Sequence, residues 1–330
     1  MKTLTFALLL LFCGVQISKA QQTLKFNENG KFKIVQFTDI HYKYGNPASD
    51  VAIERMNEVL DTEKPDLVFF TGDLIYSKPA GDILKIISDL PSKRKIPFAV
   101  LFGNHDDEHD LTRAQLYDVL KIIPYNMTGT IEGLSGVTNF ILPIKSSDNK
   151  KNAVILYCFD SHSYSKIEGI KGYDYIKFDQ IEWYRDNSME YTKQNDGKPI
   201  PSLAFFHIPL PEYNQAASDE NAILIGTRKE KACAPDLNSG LFASIKELGD
   251  VQATFVGHDH DNDYAVYWKN ILLVYGRFTG GNTEYNNLAG GNGARIIELT
   301  EGQKGFKSWI RLKNNEVIHR ITYPDDFLKK

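Results

Sequence analysis

The sequence predicts a single α/β domain, and three observations carry the prediction. Short apolar or β-branched runs alternate with stretches of helical period as far as about residue 260. Beyond that point the helix signals fade into successive short strands, and no Pro- or Gly-rich linker divides the chain.

Residues 32–37 read as the first strand, with Asp39 and His41 immediately after it. A helix follows: Ser49 or Asp50 can cap it, Ile53, Met56, Val59 and Leu60 form an apolar stripe, and Pro65 lies past its end. Residues 67–70 are a second buried strand that runs into Gly72 and Asp73. Ile83, Ile86, Ile87 and Leu90 make another helical face, terminated by Pro91, before a strand over 98–102 leads into Gly103-Asn104-His105-Asp106. The pattern recurs with a strand over 154–159 ending at Asp160, and with a helix whose inner face is Phe178, Ile181, Tyr184 and Tyr191. A strand over 203–206 delivers His207. A helix through Leu241, Phe242, Ile245 and Leu248 stops at Gly249, and a strand over 251–256 delivers Gly257-His258-Asp259-His260. The remaining strands are expected over 264–268, 271–275, 294–299, 306–312 and 317–322. Residues 211–236 show no clear helix and are long for a loop, which makes them a candidate overhang above a site.

Composition narrows the function classes. With 42% hydrophobic and 24% charged residues in 330, the chain is globular and can bury a sizeable core. Lys2, the apolar run 4–15 and Ser18-Lys19-Ala20 form a secretory leader over 1–20, which leaves 21–330 as the working domain and predicts export to a periplasmic or extracellular setting. Cys13 lies inside that leader, but Phe12 before it disfavours lipidation. The apolar run is too short to span a bilayer, so no transmembrane anchor is expected. Removing Lys2 and Lys19 leaves 36 basic residues against 42 acidic ones, a formal charge of −6, which argues against a nucleic-acid surface. Cys158 and Cys233 survive cleavage; two packed thiols are favoured over one bridge.

Five apolar runs end in metal-ligand residue types: Asp39 and His41, Asp73, Asn104 and His105, His207, and His258 and His260. Five of the eight histidines lie at these ends. In open α/β sheets the carboxyl ends of the strands converge on one edge, where residues distant in sequence can meet. Imidazole and carboxylate without thiolate suit Zn, Mn or Fe rather than Ca.

Asp39-Ile40-His41, Gly72-Asp73, Gly103-Asn104-His105-Asp106, His207 and Gly257-His258-Asp259-His260 resemble the ordered signature of the calcineurin-like metallophosphoesterases. The segments 206–212, 238–240 and 256–263 resemble its purple acid phosphatase-like branch, typified by small plant enzymes without an N-terminal accessory domain. The resemblance implies a four-layer α/β/β/α sandwich of two mixed sheets in a single domain. It implies two metal ions, Mn, Zn or Fe, with Asp73 as the shared ligand. Asp39, His41 and His260 would complete one shell, and Asn104, His207 and His258 the other. A small phosphate monoester would then be hydrolysed by in-line attack of a metal-bridging hydroxide. His105 would act as general acid, with Asp106 orienting or polarising its imidazole. A phosphodiesterase or nucleotidase with the same metals is the alternative, and a non-catalytic scaffold a third reading.

Tyr76 stands where purple enzymes place a tyrosinate ligand, but His41 is favoured as the ligand, with Tyr76 a packed neighbour and the protein colourless. Arg277 is a candidate phosphate fork, with a surface salt bridge as its other reading. His109 is a candidate for the substrate mouth in a loop where Asp107 and Glu108 are expected to be solvated. Asp160 is expected to cap a turn, His162 and His319 to be structural, and Asn126-Met127-Thr128 is a glycosylation sequon.

Overall fold

The computed structural model describes residues 22–328; the expected leader with Cys13 lies outside them. In chain order the elements are β1 (Leu24–Lys25), β2 (Lys31–Phe37), α1 (Asp50–Glu63), β3 (Leu67–Thr71), α2 (Ala80–Lys93), β4 (Phe98–Leu101) and α3 (Arg113–Lys121). They continue with β5 (Phe140–Lys145), β6 (Asn152–Cys158), α4 (Phe178–Gln194), β7 (Ser202–Phe205), α5 (Glu212–Ser218), β8 (Leu224–Ile225) and α6 (Leu241–Leu248). The chain closes through β9 (Val251–Val256), β10 (Ala265–Trp268), β11 (Ile271–Tyr275), β12 (Ala294–Thr300), β13 (Phe306–Arg311) and β14 (Val317–Tyr323).

Six strands form one sheet in the order β14-β13-β12-β2-β3-β4, and eight form the other in the order β1-β5-β6-β7-β9-β11-β10-β8. Both are mixed. In the first, β2, β3 and β4 are parallel and β12 runs antiparallel to β2. In the second, β6, β7, β9 and β11 are parallel, flanked by antiparallel β5 and β10.

Alternate residues of one strand serve two cores. Ile34 and Phe69 face Leu203 and Phe255 between the sheets, while Val35 and Phe70 pack on Met56 and Ile87 of α1 and α2. On the far side Ala204 and Phe206 pack against Ile181 of α4 and Ile245 of α6. Burial on both faces explains why these strands read as continuous apolar runs, and it yields four layers, α/β/β/α. At the centre Phe69, Phe205 and Phe255 stack in file, with ring centroids 4.2 and 5.0 Å apart.

Local expectations fail in a few instructive places. The Ser49 hydroxyl bonds the backbone of Lys43 instead of capping α1, and Lys64, left-handed at φ 47°, closes that helix. Pro91 does not end α2, which continues to Lys93, because a proline in the last turn removes only one amide bond near an already frayed end. Phe178 is 68% exposed rather than on the inner face of α4. The segment expected to be a loop carries α5 and β8.

One buried charge cluster ties helix to sheet. The Glu63 carboxylate, at the end of α1, accepts from Trp309 Nε1 (2.9 Å), Arg311 Nε (2.7 Å) and Lys33 Nζ (3.1 Å). Burial opposes its charge, but these donors outweigh burial and hold its carboxyl below the usual range. A depressed folded-state pKa contributes stability that is present above the unfolded value and lost as pH falls through the folded one. Glu63→Gln should therefore cost about 2 kcal/mol at pH 7. Urea titrations of both proteins should show that difference shrinking as pH falls below about 4. A gap unchanged between pH 7 and 3 would assign the loss to packing instead.

Candidate metal centre

The parallel strands bring the expected residues to one edge. The end of β2 supplies Asp39 and His41, β3 supplies Asp73, β4 supplies Asn104 and His105, β7 supplies His207, and β9 supplies His258 and His260. The two sheets are tied at this edge by Gln36 Nε2, which donates to Thr71 Oγ1 (2.9 Å) and to the Val256 carbonyl (3.0 Å). A bridge between Thr38 and Phe278 joins the chain just past β2 and β11.

Immediately beyond the strands the backbone reverses, and Asp39 (φ 54°), His41 (φ 46°), Asp73 (φ 54°) and His258 (φ 83°) all lie in the left-handed region. Each such conformation costs on the order of 1–3 kcal/mol, and four of them at one edge indicate backbone held for the sake of side-chain direction. Gly72 and Gly103 are required by close approach. A Cβ on Gly72 would overlap the His207 ring, and one on Gly103 would overlap the Asp73 carboxylate.

Two buried triads result, Asp39 with His41 and His260, and Asp73 with His207 and His258, each with its ligand atoms within 4.8 Å of one another. Asp73 joins them: its Oδ2 lies 3.1 Å from His207 Nε2 and 3.8 Å from His41 Nε2. Within the first triad His41 and His260 bring their Nε2 atoms to 3.0 Å, and His260 Nε2 is 3.9 Å from Asp39 Oδ1. Asn104 sits next to Asp73 in space: the preceding Gly103 abuts the Asp73 carboxylate and the following His105 donates its backbone N–H to Asp73 Oδ1 (2.9 Å).

The donor set fits cations. His207 Nδ1 donates to the Thr71 carbonyl (2.7 Å) and His260 Nδ1 to that of Tyr285 (3.0 Å), which turns each Nε2 toward the site. The buried His207 Nε2, His258 Nδ1 and Nε2, His41 Nδ1 and Asn104 Oδ1 have no hydrogen-bond partner. So many orphaned buried polar atoms in one cleft would be costly without a cation to take up the lone pairs among them. Burial, which outweighs the pull of Asp73, holds His41 and His258 well below the usual imidazole range, hence neutral. Burial alone would raise the Asp73 carboxyl and lower the His207 imidazole, but each charge outweighs burial at the other, bringing the carboxyl well below its usual range and the imidazole up to about 9; a bound cation would take the place of that proton. Neutral imidazole and ionised carboxylate are the forms that ligate metal.

At the mouth, His105 is half-buried, and its Nδ1 lies 2.7 Å from Glu108 Oε2. Burial disfavours the charged ring, but Asp73 and Glu108 outweigh it and raise the pKa. Asp106 does not touch this imidazole as expected. Its carboxylate is fully buried and accepts four backbone N–H bonds, from Asp73, Leu74, Ile75 and Gly103 (2.7–3.0 Å), so it fixes the two ligand-bearing turns relative to each other. Glu108, expected only as a solvated loop residue, is the partner of His105.

Packing corrects the expectation for Arg277 and locates the other residues singled out in the sequence. Arg277 is 1% exposed, paired with Asp263 and donating to the carbonyls of Ala289 and Gly291, so its fork is not free for phosphate. His109 is half-buried beside the Tyr76 ring (6.5 Å). Tyr76 packs edge-on against His41 (4.9 Å) and His105 (5.3 Å), and burial together with the nearby Glu284 carboxylate pushes its hydroxyl up to about 12. Asp160 is buried and accepts from the backbone of Val137 and His162 and from Arg113. Part of the 211–236 segment does reach the site rim: Glu230 accepts from Tyr285, whose ring stacks on His260 at 4.4 Å. Both cysteines are free, Cys158 in the inter-sheet core and Cys233 at the surface.

Sequence reasoning missed Arg113. From α3 it bonds Asp160, the carbonyl of Gly103 (2.6 Å) and that of His162 (2.9 Å), which clamps the Asn104-His105 turn. Nothing in a run of nine weakly amphipathic residues distinguishes this arginine from a surface one.

The calcineurin-like phosphoesterase family model matches residues 32–262. A protein of Arabidopsis thaliana named Probable inactive purple acid phosphatase 29 is 32% identical over 333 residues, 91% of this chain and 85% of its own. Phosphatase DCR2 of Saccharomyces cerevisiae is 35% identical over 346 residues, 92% of this chain but only 58% of the yeast protein. Among solved structures, a dimetal phosphatase from Danio rerio shares the fold with a TM-score of 0.60 at 11% identity, covering 88% of this chain and 98% of that one.

Proposed function

Because the chain belongs to the calcineurin-like phosphoesterase family, we propose that it is an exported dinuclear-metal phosphatase acting on small phosphate monoesters. The observation that carries this reading is Asp73, one carboxylate oxygen of which lies 3.1 Å from His207 of its own group and 3.8 Å from His41 of the other. Asp39, His41 and His260 would hold one cation, Asn104, His207 and His258 the other, and Asp73 would offset their mutual repulsion. Two bound cations supply Lewis acidity to the ester and a water acidified to near-neutral pKa.

The rest is the work of the chain. Water attacks phosphorus in line, the bond to the alcohol oxygen breaks, and His105 Nε2 gives that oxygen its proton, leaving alcohol and phosphate. Glu108 on Nδ1 fixes the ring so that Nε2 is the free position. His105 recovers a proton from solvent, since its side chain is 26% exposed.

Monoester preference is supported by the word phosphatase in the names of the plant and yeast relatives, and export by the leader-like residues 1–20. No helix among the described residues is long and apolar enough to cross a membrane. The names of three Arabidopsis relatives favour a second reading, an inert scaffold. Against it stand the seven candidate ligands and His105, all present here. Protein loaded with Mn or Zn should hydrolyse an alkyl phosphate monoester at least tenfold faster than a bis-ester, and lose that activity to a chelator. The reverse preference selects a phosphodiesterase, and inertness of fully loaded protein toward both selects the scaffold.

A further inference from the structure

The wall beside His105 is aromatic and rigidly held. Tyr164 is 43% exposed, yet its hydroxyl donates to Glu108 Oε1 (2.9 Å) and accepts from Asn104 Nδ2 (3.4 Å). Its ring stacks on Tyr173, centroids 5.6 Å apart at 25°, and Tyr173 in turn packs perpendicular to the His258 ring at 4.3 Å. The two tyrosines pair across the root of a hairpin closed by Ser165 N to Gly172 O and Asp174 N to Ser163 O, both 2.9 Å.

Solvent-exposed tyrosines ordinarily keep their rotamer freedom; this one has already lost it, so a ring stacking on it forfeits little further entropy. Position adds direction. Glu108 binds the Tyr164 hydroxyl through one oxygen and His105 Nδ1 through the other, so the platform borders the group that protonates the leaving oxygen. Whatever leaves is therefore beside Tyr164.

We propose that the Tyr164-Tyr173 pair is a leaving-group platform, and that the preferred esters carry a flat aromatic ring within a few bonds of the phosphate. The proposal rests on the phosphatase reading for the direction of the leaving group. Aryl esters and nucleotides share this chemistry.

The test compares rings of one size that differ in flatness. Benzylphosphonate and cyclohexylmethylphosphonate are not hydrolysed, so their binding to the Mn-loaded protein is measured by calorimetry without turnover. Benzylphosphonate should bind about tenfold tighter, the scale of one base stacked on one aromatic residue. Tyr164→Leu should bring the ratio towards one, and Tyr164→Phe, which keeps the ring, should preserve it. Equal affinities in the wild type, no binding of either, or a preference untouched by Tyr164→Leu would overturn the proposal. Kinetics of benzyl phosphate and cyclohexylmethyl phosphate, whose alcohols are of similar acidity, separate the two readings. Preferential binding without hydrolysis sinks the phosphatase and leaves the platform, whereas equal kcat/KM for both esters sinks the platform alone. A large kcat/KM ratio of 5′-AMP over ribose 5-phosphate identifies nucleotides as the source of the ring; a ratio near one, with the benzyl preference intact, identifies aryl esters.

Discussion

Asp73→Asn is expected to strip both cation positions together and to lower kcat/KM on the order of a thousandfold. The substitution preserves shape and removes one negative charge from the point where the two ligand groups meet, 3.1 Å from His207 and 3.8 Å from His41. Two divalent ions a few ångströms apart repel strongly in a buried site, and a neutral amide offers one weak oxygen where the carboxylate offers two. Metal analysis should fall from two equivalents towards none, in step with activity. Circular dichroism should be retained, because the surrounding strands are held by the inter-sheet core. A variant that keeps two metals, or keeps one and half its rate, would show that Asp73 is not the shared ligand.

His105→Ala should separate metal from chemistry. Its ring contributes no atom to either triad, so both equivalents should remain. Turnover should drop roughly 10²- to 10⁴-fold, the usual contribution of a positioned acid. The drop should depend on the leaving group. An alkoxide must be protonated as it departs, whereas a nitrophenolate leaves unaided, so 4-nitrophenyl phosphate should lose far less than an alkyl phosphate. Equal losses on the two esters would mean that His105 orients substrate and donates no proton.

The distribution of what could be read in advance has a physical logic. Asp39, His41, Asp73, His207, His258 and His260 stood out because each closely follows an apolar run, and a parallel strand buried on both faces admits polar residues mainly at its end. The same feature made β2, β3, β4, β7 and β9 legible. Short or half-exposed elements were not. α3 carries two buried residues in nine, and β5 alternates half-buried and buried positions around a proline. Arg277 was misjudged because a guanidinium near a glycine-rich loop looks the same in sequence whether it meets phosphate or Asp263. Asp106 was misassigned for a related reason: adjacency to His105 in the chain says nothing about direction, and at a tight turn successive side chains point apart.

By itself, then, the order of residues determined which strands are buried, which ligand types wait at their carboxyl ends, and which family the pattern resembles, since all three depend on neighbours in the chain. Only the folded molecule decided that Glu108 and Tyr164 attend His105, that Arg113 clamps its turn, that Glu63 gathers Lys33, Trp309 and Arg311, and that Arg277 is spoken for. Those contacts join residues up to 248 positions apart, and a hydrogen bond of 3 Å depends on where two backbones cross, a quantity that no local pattern of hydrophobicity encodes.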